Sequence, residues 1–297
     1  MVQKKRLVKI DKLKFLNTVD FIFVAYLLSV ALIMVFFGWG HKYFNQVLVT
    51  HILITLAIFV LAYYGGPGSN PVLMFIRTWY PLLLPFYLYP ESGLINNLFL
   101  DAPLDPMYIA LEKSIFRCEP AMILPAKFNH RFLMEYFHFS YFTYYLYLPI
   151  ICPVLYLRDR LFFEEFLFTV LLTLLSCYLI FIFFPAIGPI PLRQGLYCGF
   201  FTSLMDLIYQ FDIPGGAFPS SHVAATVVGV IMVLRKIRKL GLILIPLVAS
   251  LIVATVYCRY HYAVDAVAGI IYGVLMVLLC GFLYRRIKPY FPGIAST

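Results

Sequence analysis

The sequence predicts an all-α protein: a polytopic transmembrane helical bundle of about six to eight spans with an interfacial amphipathic helix. Three observations predict it. The 297 residues are 63% hydrophobic and only 12% charged, against about 25% charged in an ordinary soluble domain, so most of the surface must face lipid. Apolar stretches near the ~20 residues that cross a bilayer recur along the chain. The basic residues fall in short blocks beside those stretches, which is the positive-inside pattern of cytoplasmic flanks. The 29 Phe and 23 Tyr suit helix packing and headgroup belts.

In order, the apolar stretches cover residues 20–38, 46–64, 71–89, 133–156, 161–185, 217–234, 242–260 and 262–284. The first follows a basic segment but is too long for a signal-peptide core and lacks a small-residue cleavage pattern, so it reads as a retained helix. The third is the weakest, because it contains Arg77, Pro81 and Pro85. Proline removes a helical hydrogen bond and clashes with the preceding turn, so a broken or re-entrant segment is the alternative to a clean span. Residues 91–131 mix turn signals (Asp101, Pro103, Asp105, Pro106) with an amphipathic run at 107–116, where Met107, Ile109, Leu111 and Ile115 alternate loosely with Glu112 and Lys113. A helix lying on the outer leaflet is expected there. Residues 186–216 carry Pro and Gly punctuation and lead into the sixth stretch. The chain thus divides into a basic cytoplasmic segment at 1–18, N-terminal transmembrane helices at 19–90, an extracytoplasmic interfacial segment at 91–132, a catalytic transmembrane core at 133–285 and a cytoplasmic tail at 286–297.

Eight spans put both termini on one side. Four basic groups then fall inside together: Lys4, Lys5, Arg6, Lys9, Lys12 and Lys14; Arg158 and Arg160; Arg235, Lys236, Arg238 and Lys239; Arg285, Arg286 and Lys288. They hold 15 of the 23 Lys and Arg. The net charge of +9 is therefore a membrane signature. No nucleic acid partner is expected, since no basic face is interleaved with stacking aromatics. The six cysteines form neither a CxxC pair nor a zinc spacing. Cys152, Cys177 and Cys280 read as apolar fillers, and Cys118 and Cys198 fall in external loops where a disulfide is one option.

Ionisable groups inside spans are costly and so are functional candidates. Residues 215–222, GGAFPSSH, stand directly before an apolar helix. Serine and proline start helices, so His222 belongs to a first turn, where free N–H groups and the helix dipole welcome an anion. Ser220 and Ser221 add hydroxyl donors. Residues 257–265, YCRYHYAVD, place His261 and Asp265 four apart, on one helical face. A carboxylate there holds one ring nitrogen, fixes the tautomer and raises the basicity of the other. Two histidines beside an anion-binding helix start suit phosphoryl transfer, one attacking phosphorus and the other protonating the departing oxygen. A metal site from His222, His261 and Asp265 is the competing reading, disfavoured because a helix N-terminus prefers an anion. No cofactor is expected.

At these residues the sequence resembles the type 2 phosphatidic acid phosphatase superfamily, most closely its inositol-phosphorylceramide-synthase-like branch. The resemblance rests on FFPAIGPIP (183–191), GGAFPSSH (215–222) and YHYAVDAVAG (260–269), with a looser match at LDPMYIALEKSIFRCEP (104–120) and FHFSYFTYY (137–145). It covers roughly residues 94–284 and leaves the first spans unaccounted for. It implies that His261 is a nucleophile forming a phosphohistidine, that Asp265 orients it, and that His222 is the acid and later the base. It also implies that Ser220, Ser221 and the Gly216–Ala217 backbone bind phosphate, without a metal. Two departures stand out. The KxxxxxxRP motif that phosphatases of the superfamily carry is absent, and Ala254-Thr255 stands where they have Ser-Arg. The phosphate charge then falls to Arg259, Arg193 or Arg77. The first two have interfacial snorkelling as an alternative, and Arg77 has pairing with an internal acid such as Glu135.

These features imply an enzyme acting on a membrane lipid phosphate or phosphodiester from the periplasm, cell exterior or organelle lumen. Hydrolysis and transfer to an alcohol or lipid acceptor use the same histidines, so both stay open. A non-catalytic lipid-binding or transport protein on the same scaffold is the alternative of a different class.

Overall fold

Polar side chains cap the starts of the helices Thr18–Phe37, Pro71–Leu94, Arg131–Arg158, Arg160–Phe183 and Ser221–Lys236. The computed structural model describes residues 15–66, 68–193, 195–196, 198–210 and 213–291. Among these residues eleven α-helices form and no strand does. Asn17 accepts the Asp20 N–H at 2.7 Å while Asp20 accepts the Asn17 N–H at 2.9 Å, a reciprocal cap that opens α1 (Thr18–Phe37). After α2 (Phe44–Tyr64), Asn70 caps α3 (Pro71–Leu94) with proline at its first position. Two short helices follow, α4 (Asp105–Phe116) and α5 (Pro120–Lys127). Asp159 both closes α6 (Arg131–Arg158) and caps α7 (Arg160–Phe183). A 3-10 turn (Ile190–Arg193) and the amphipathic α8 (Phe200–Tyr209) precede α9 (Ser221–Lys236), α10 (Arg238–Tyr257) and α11 (Ala263–Ile287).

Seven of these helices (α1, α2, α3, α6, α7, α10 and α11) are long and apolar enough to cross a membrane. The third apolar stretch is thus one continuous helix, although Pro81, Pro85 and Pro90 lie inside it. Membrane helices tolerate such prolines because packed neighbours compensate for the lost hydrogen bonds. The sixth stretch is the one that falls short. Residues 217–220 form the loop and cap before α9, whose 16 residues span about 24 Å at 1.5 Å per residue, less than the ~30 Å hydrocarbon core. α9 needs no lipid-matched length, because it is buried among α6, α7, α10 and α11.

Close approach of α9 and α11 depends on two glycines. A Cβ at Gly269 would stand 2.7 Å from the Ser220 carbonyl oxygen, and one at Gly273 would stand 2.8 Å from the Ala224 carbonyl oxygen. This small-xxx-small pairing replaces the hydrophobic drive that lipid does not supply. α1–α3 pack against this core through α7. His51 Nε2 meets Glu91 Oε2 at 2.6 Å and its Nδ1 meets the Leu27 carbonyl at 3.0 Å, a buried tie across α1, α2 and α3.

The basic groups gather at one end. Lys236 pairs with Asp159 at 2.6 Å, bringing the α9–α10 and α6–α7 turns together. Thr18 donates to Glu164 at 2.7 Å, and Phe21 packs on Phe291 at 4.7 Å, so the start of α1 and the end of α11 meet at that end too. His222 and His261 lie at the opposite ends of α9 and α11. The N-terminal basic block, Lys4 to Lys14, and residues 292–297 of the tail lie outside the described residues. Cys118 and Cys198 are free thiols, one in the α4–α5 turn and the other before α8, so the optional disulfide is absent.

Candidate active site

Two turns build the site. Ser220 caps α9, its Oγ accepting the Val223 N–H at 3.4 Å, which leaves the N–H groups of Ser221 and His222 without intrahelical acceptors. The Ser220 N–H donates to the Asp265 carbonyl at 3.1 Å and so joins the two turns. At the end of α10 the chain reverses through Arg259 (φ 56). The N–H groups of Tyr260 and His261 both donate to the Thr255 carbonyl at 2.9 Å. The Thr255 hydroxyl donates to the Ile252 carbonyl at 2.7 Å, so its role is to shape the turn.

His222 and His261 face each other with ring centroids 5.8 Å apart. His261 Nδ1 lies 3.0 Å from the Ala217 carbonyl and 3.6 Å from Asp265 Oδ2. Both neighbours are acceptors, which assigns the proton to Nδ1 and leaves Nε2 with its lone pair. The hydrogen bond itself goes to Ala217, because 3.6 Å is beyond hydrogen-bond length. Asp265 Oδ2 instead accepts the Tyr262 N–H at 2.9 Å, so the carboxylate caps α11 and acts on His261 through its charge. Asp265 is wholly buried, and its Oδ1 has no partner. The Ala217 N–H is also committed, donating to the Ala186 carbonyl at 2.9 Å. Of the Gly216–Ala217 pair, the Ala217 amide is thereby spent on the loop within FFPAIGPIP (183–191).

Tyrosines enclose His222. The rings of Tyr144, Tyr141, Tyr89 and Tyr145 lie 4.3, 5.2, 6.4 and 6.4 Å from it. The His222 Nδ1 atom is buried without a hydrogen-bond partner. Beside it lies a cavity of about 660 Å³ walled by Phe75, Trp79, Phe86, Leu148 and Tyr178 among others, with Ser221 and His222 at one edge. A separate crevice of about 10 Å³, room for one water, is lined by His261, Gly215, Gly216 and Ala217. Tyr89 and Tyr209 line both spaces and stand between them.

The three arginines do not join the histidines. Arg77 donates to the Ala62 carbonyl at 2.9 Å and to the Phe15 carbonyl, and pairs with Asp20 at 3.2 Å. It is a tie between α1, α2 and α3, and its acid is Asp20. Glu135 instead accepts the Phe201 N–H at 2.9 Å at the start of α8. Arg193 pairs with Asp206 at 2.8 Å and lies 4.4 Å over the Tyr260 ring. Arg259 donates to the Ala121 carbonyl at 3.2 Å and to the Leu192 carbonyl. None of the three makes a hydrogen bond, ion pair or ring contact with either histidine. The groups beside His222 are instead the start of α9 with Ser220 and Ser221, and the rings of Tyr89, Tyr141, Tyr144 and Tyr145.

The tyrosines escaped the sequence reading, although Tyr141, Tyr144 and Tyr145 have the i, i+3, i+4 spacing of one helical face. Asp105 and Glu112 escaped it too: Asp105 reads as a turn signal, Glu112 as the polar side of an amphipathic run, and the looser match over 104–120 gives neither a role. Among the described residues no group of three or more His, Cys, Asp and Glu could hold a metal ion. Compared with known proteins, residues 110–279 match the model of the PAP2 superfamily. No curated protein and no solved structure matches the chain.

Proposed function

The chain belongs to the PAP2 superfamily, and on that premise we propose that it is a membrane lipid phosphatase or phosphotransferase working through a phosphohistidine at the extracytoplasmic face. One observation carries the reading: His222, whose ring faces the buried His261, lies at the edge of an apolar cavity of about 660 Å³, within the range that holds a small ligand. Such a cavity receives a hydrocarbon chain while the phosphate lies between the imidazoles. His261 Nε2 attacks phosphorus, a P–N bond forms, and the P–O bond to the lipid breaks as His222 gives the departing oxygen its proton. His222 then takes a proton from the incoming hydroxyl, whose oxygen displaces the His261 nitrogen. Asp265 and the Ala217 carbonyl stabilise the positive charge His261 carries in between. Ser220, Ser221 and the first N–H groups of α9 hold the phosphoryl oxygens.

A head-group transferase of the inositol-phosphorylceramide-synthase type is the second reading. The apolar lining beside His222 favours it, because a lipid alcohol enters such a space more readily than water. Incubating purified protein with a panel of lipid phosphates and phosphodiesters, with and without alcohol acceptors, separates the two by mass spectrometry. Free phosphate indicates hydrolysis, and a new phosphodiester indicates transfer. Turnover of whichever substrate reacts is expected to persist in excess chelator. Loss on chelation, with stoichiometric rescue by one divalent ion, would replace this mechanism with a metal-dependent one.

Sidedness follows from charge. The basic end belongs in the cytoplasm, so both histidines open outward. Cys198 is exposed near the histidine end. Kept as the single cysteine, it should react with an impermeant maleimide on intact cells, whereas Lys239→Cys in a cysteine-free chain should not. The reverse pattern would move the site to the cytoplasm.

A further inference from the structure

Helix α4 is amphipathic in the inverted sense. Met107, Leu111 and Ile115 are exposed, while Tyr108 and Glu112 are buried, Glu112 completely. Asp105, Tyr108 and Glu112 fall at i, i+3 and i+7, on one face, and each touches a different part of the site. Asp105 Oδ2 accepts the Ile187 N–H at 2.9 Å, and its Oδ1 accepts the Gly188 N–H at 2.8 Å and the Tyr262 hydroxyl at 3.1 Å. The Tyr108 ring stacks on Phe218 at 4.4 Å, four residues before His222. Glu112 Oε1 accepts the Ala263 N–H at 2.6 Å, at the first residue of α11.

We propose that Asp105 and Glu112 are positioning residues: from α4 they fix the turns at 186–188 and 260–263, and thereby set His261 opposite His222. The proposal rests on the phosphohistidine reading for its kinetic consequence, though not for its structural one. Three features of the geometry support it. The left-handed Gly188 (φ +76) packs against the Tyr260 carbonyl and the Ala217 side chain, where an added Cβ would stand 3.1 Å from each. Whatever holds Gly188 therefore holds both catalytic turns. Asp105 binds that glycine and Tyr262 with the same oxygen. Glu112 satisfies a backbone donor that α11 cannot satisfy itself, two residues before Asp265. Asp105 also lies upstream of the 110–279 stretch matched to the superfamily, so this half of the clamp is carried by the chain's own preceding segment. Burial, opposed by the Ala263 N–H and aided by the nearby Asp265 and Glu119 charges, pushes the Glu112 carboxyl up to about 7. A neutral amide of the same shape is accordingly a close substitute there.

The test compares the full-length wild-type protein with Asp105→Ala, Glu112→Leu and Glu112→Gln. Hydrogen exchange is measured at 186–188 and 262–266, and kcat and KM are measured on the best substrate found. Asp105→Ala and Glu112→Leu should speed exchange in those two segments and spare α7. They should also lower kcat by up to about 10²-fold, the cost of misplacing a reacting group by about 1 Å, with KM changed by less than about threefold. Glu112→Gln should keep both exchange and kcat near wild type. Unchanged exchange in both segments, or faster exchange spread evenly through the bundle, would overturn the proposal. If the wild type turns over no lipid phosphate, the phosphohistidine reading fails, and the exchange pattern alone still decides whether α4 positions the turns.

Discussion

Replacing His261 by alanine should bring turnover down to the uncatalysed background and abolish any phosphoenzyme. On the covalent mechanism the residue cannot be spared, because the P–N bond needs a ring nitrogen with a free lone pair and His222 is engaged as the acid that protonates the departing oxygen. His222→Ala should behave differently. Loss of a general acid costs about 10²–10⁴-fold, and it does so only where the leaving oxygen needs a proton. With a nitrophenyl phosphate, whose leaving group departs unaided, the first step of His222→Ala should run near the wild-type rate. The second step, which needs His222 as base, should stall, so an acid-labile, base-stable phosphohistidine should accumulate. Full activity in His261→Ala would end the covalent mechanism. Equal losses in the first-step rate on natural and activated substrates in His222→Ala would remove its acid role.

The second large effect is expected from Gly269→Leu. A Cβ there already meets the Ser220 carbonyl at 2.7 Å and the Val223 Cβ at 3.0 Å, and neither neighbour is the tip of a flexible side chain. Overpacking of this kind costs roughly 1–3 kcal/mol or more, and the strain can relax only by parting α9 from α11. His222 lies in the first turn of α9 and His261 in the turn that leads into α11, so parting the helices widens the 5.8 Å separation of the rings. Gly269→Leu should therefore unfold at lower temperature in detergent and, in the fraction still folded, turn over at least about 10²-fold more slowly. Gly281→Leu is the control, because no atom lies within 4 Å of a Cβ at that position. Wild-type stability and turnover in Gly269→Leu would contradict the packing described for α9 and α11.

The span pattern, the helix starts and the two histidine turns were legible in the sequence because each depends on local chemistry. A run of apolar residues, a serine before a helix and a carboxylate four residues after a histidine all announce themselves within one turn. What stayed hidden depends on contacts between distant segments. The acceptor that holds His261 Nδ1 is the Ala217 carbonyl, 44 residues earlier, and a backbone oxygen has no signature in the sequence. Arg77 is a candidate for phosphate as a cation inside an apolar span, yet its partners are Asp20 and two carbonyls on neighbouring elements. The inward turn of Glu112 reverses the usual reading of an amphipathic helix, because here the outward face meets lipid or its boundary. The prolines of α3 mislead for the same reason: rules for interrupted helices come from water, where packed neighbours do not close the gap.

The wall of the large cavity is contributed by two parts of the chain with different standing. α6, α7 and α9 supply Tyr144, Leu148, Leu174 and His222 from within the superfamily-matched stretch, whereas Phe75, Trp79, Leu83 and Phe86 come from α3, ahead of it. On the proposed function, the two parts then divide the work unequally: the imidazoles belong wholly to the matched stretch, while α3 forms one wall of the space beside His222. Substitutions in α3 are expected to change the width of that space, and with it the preference among lipid substrates, while the imidazoles, their carbonyl and their carboxylate stay untouched.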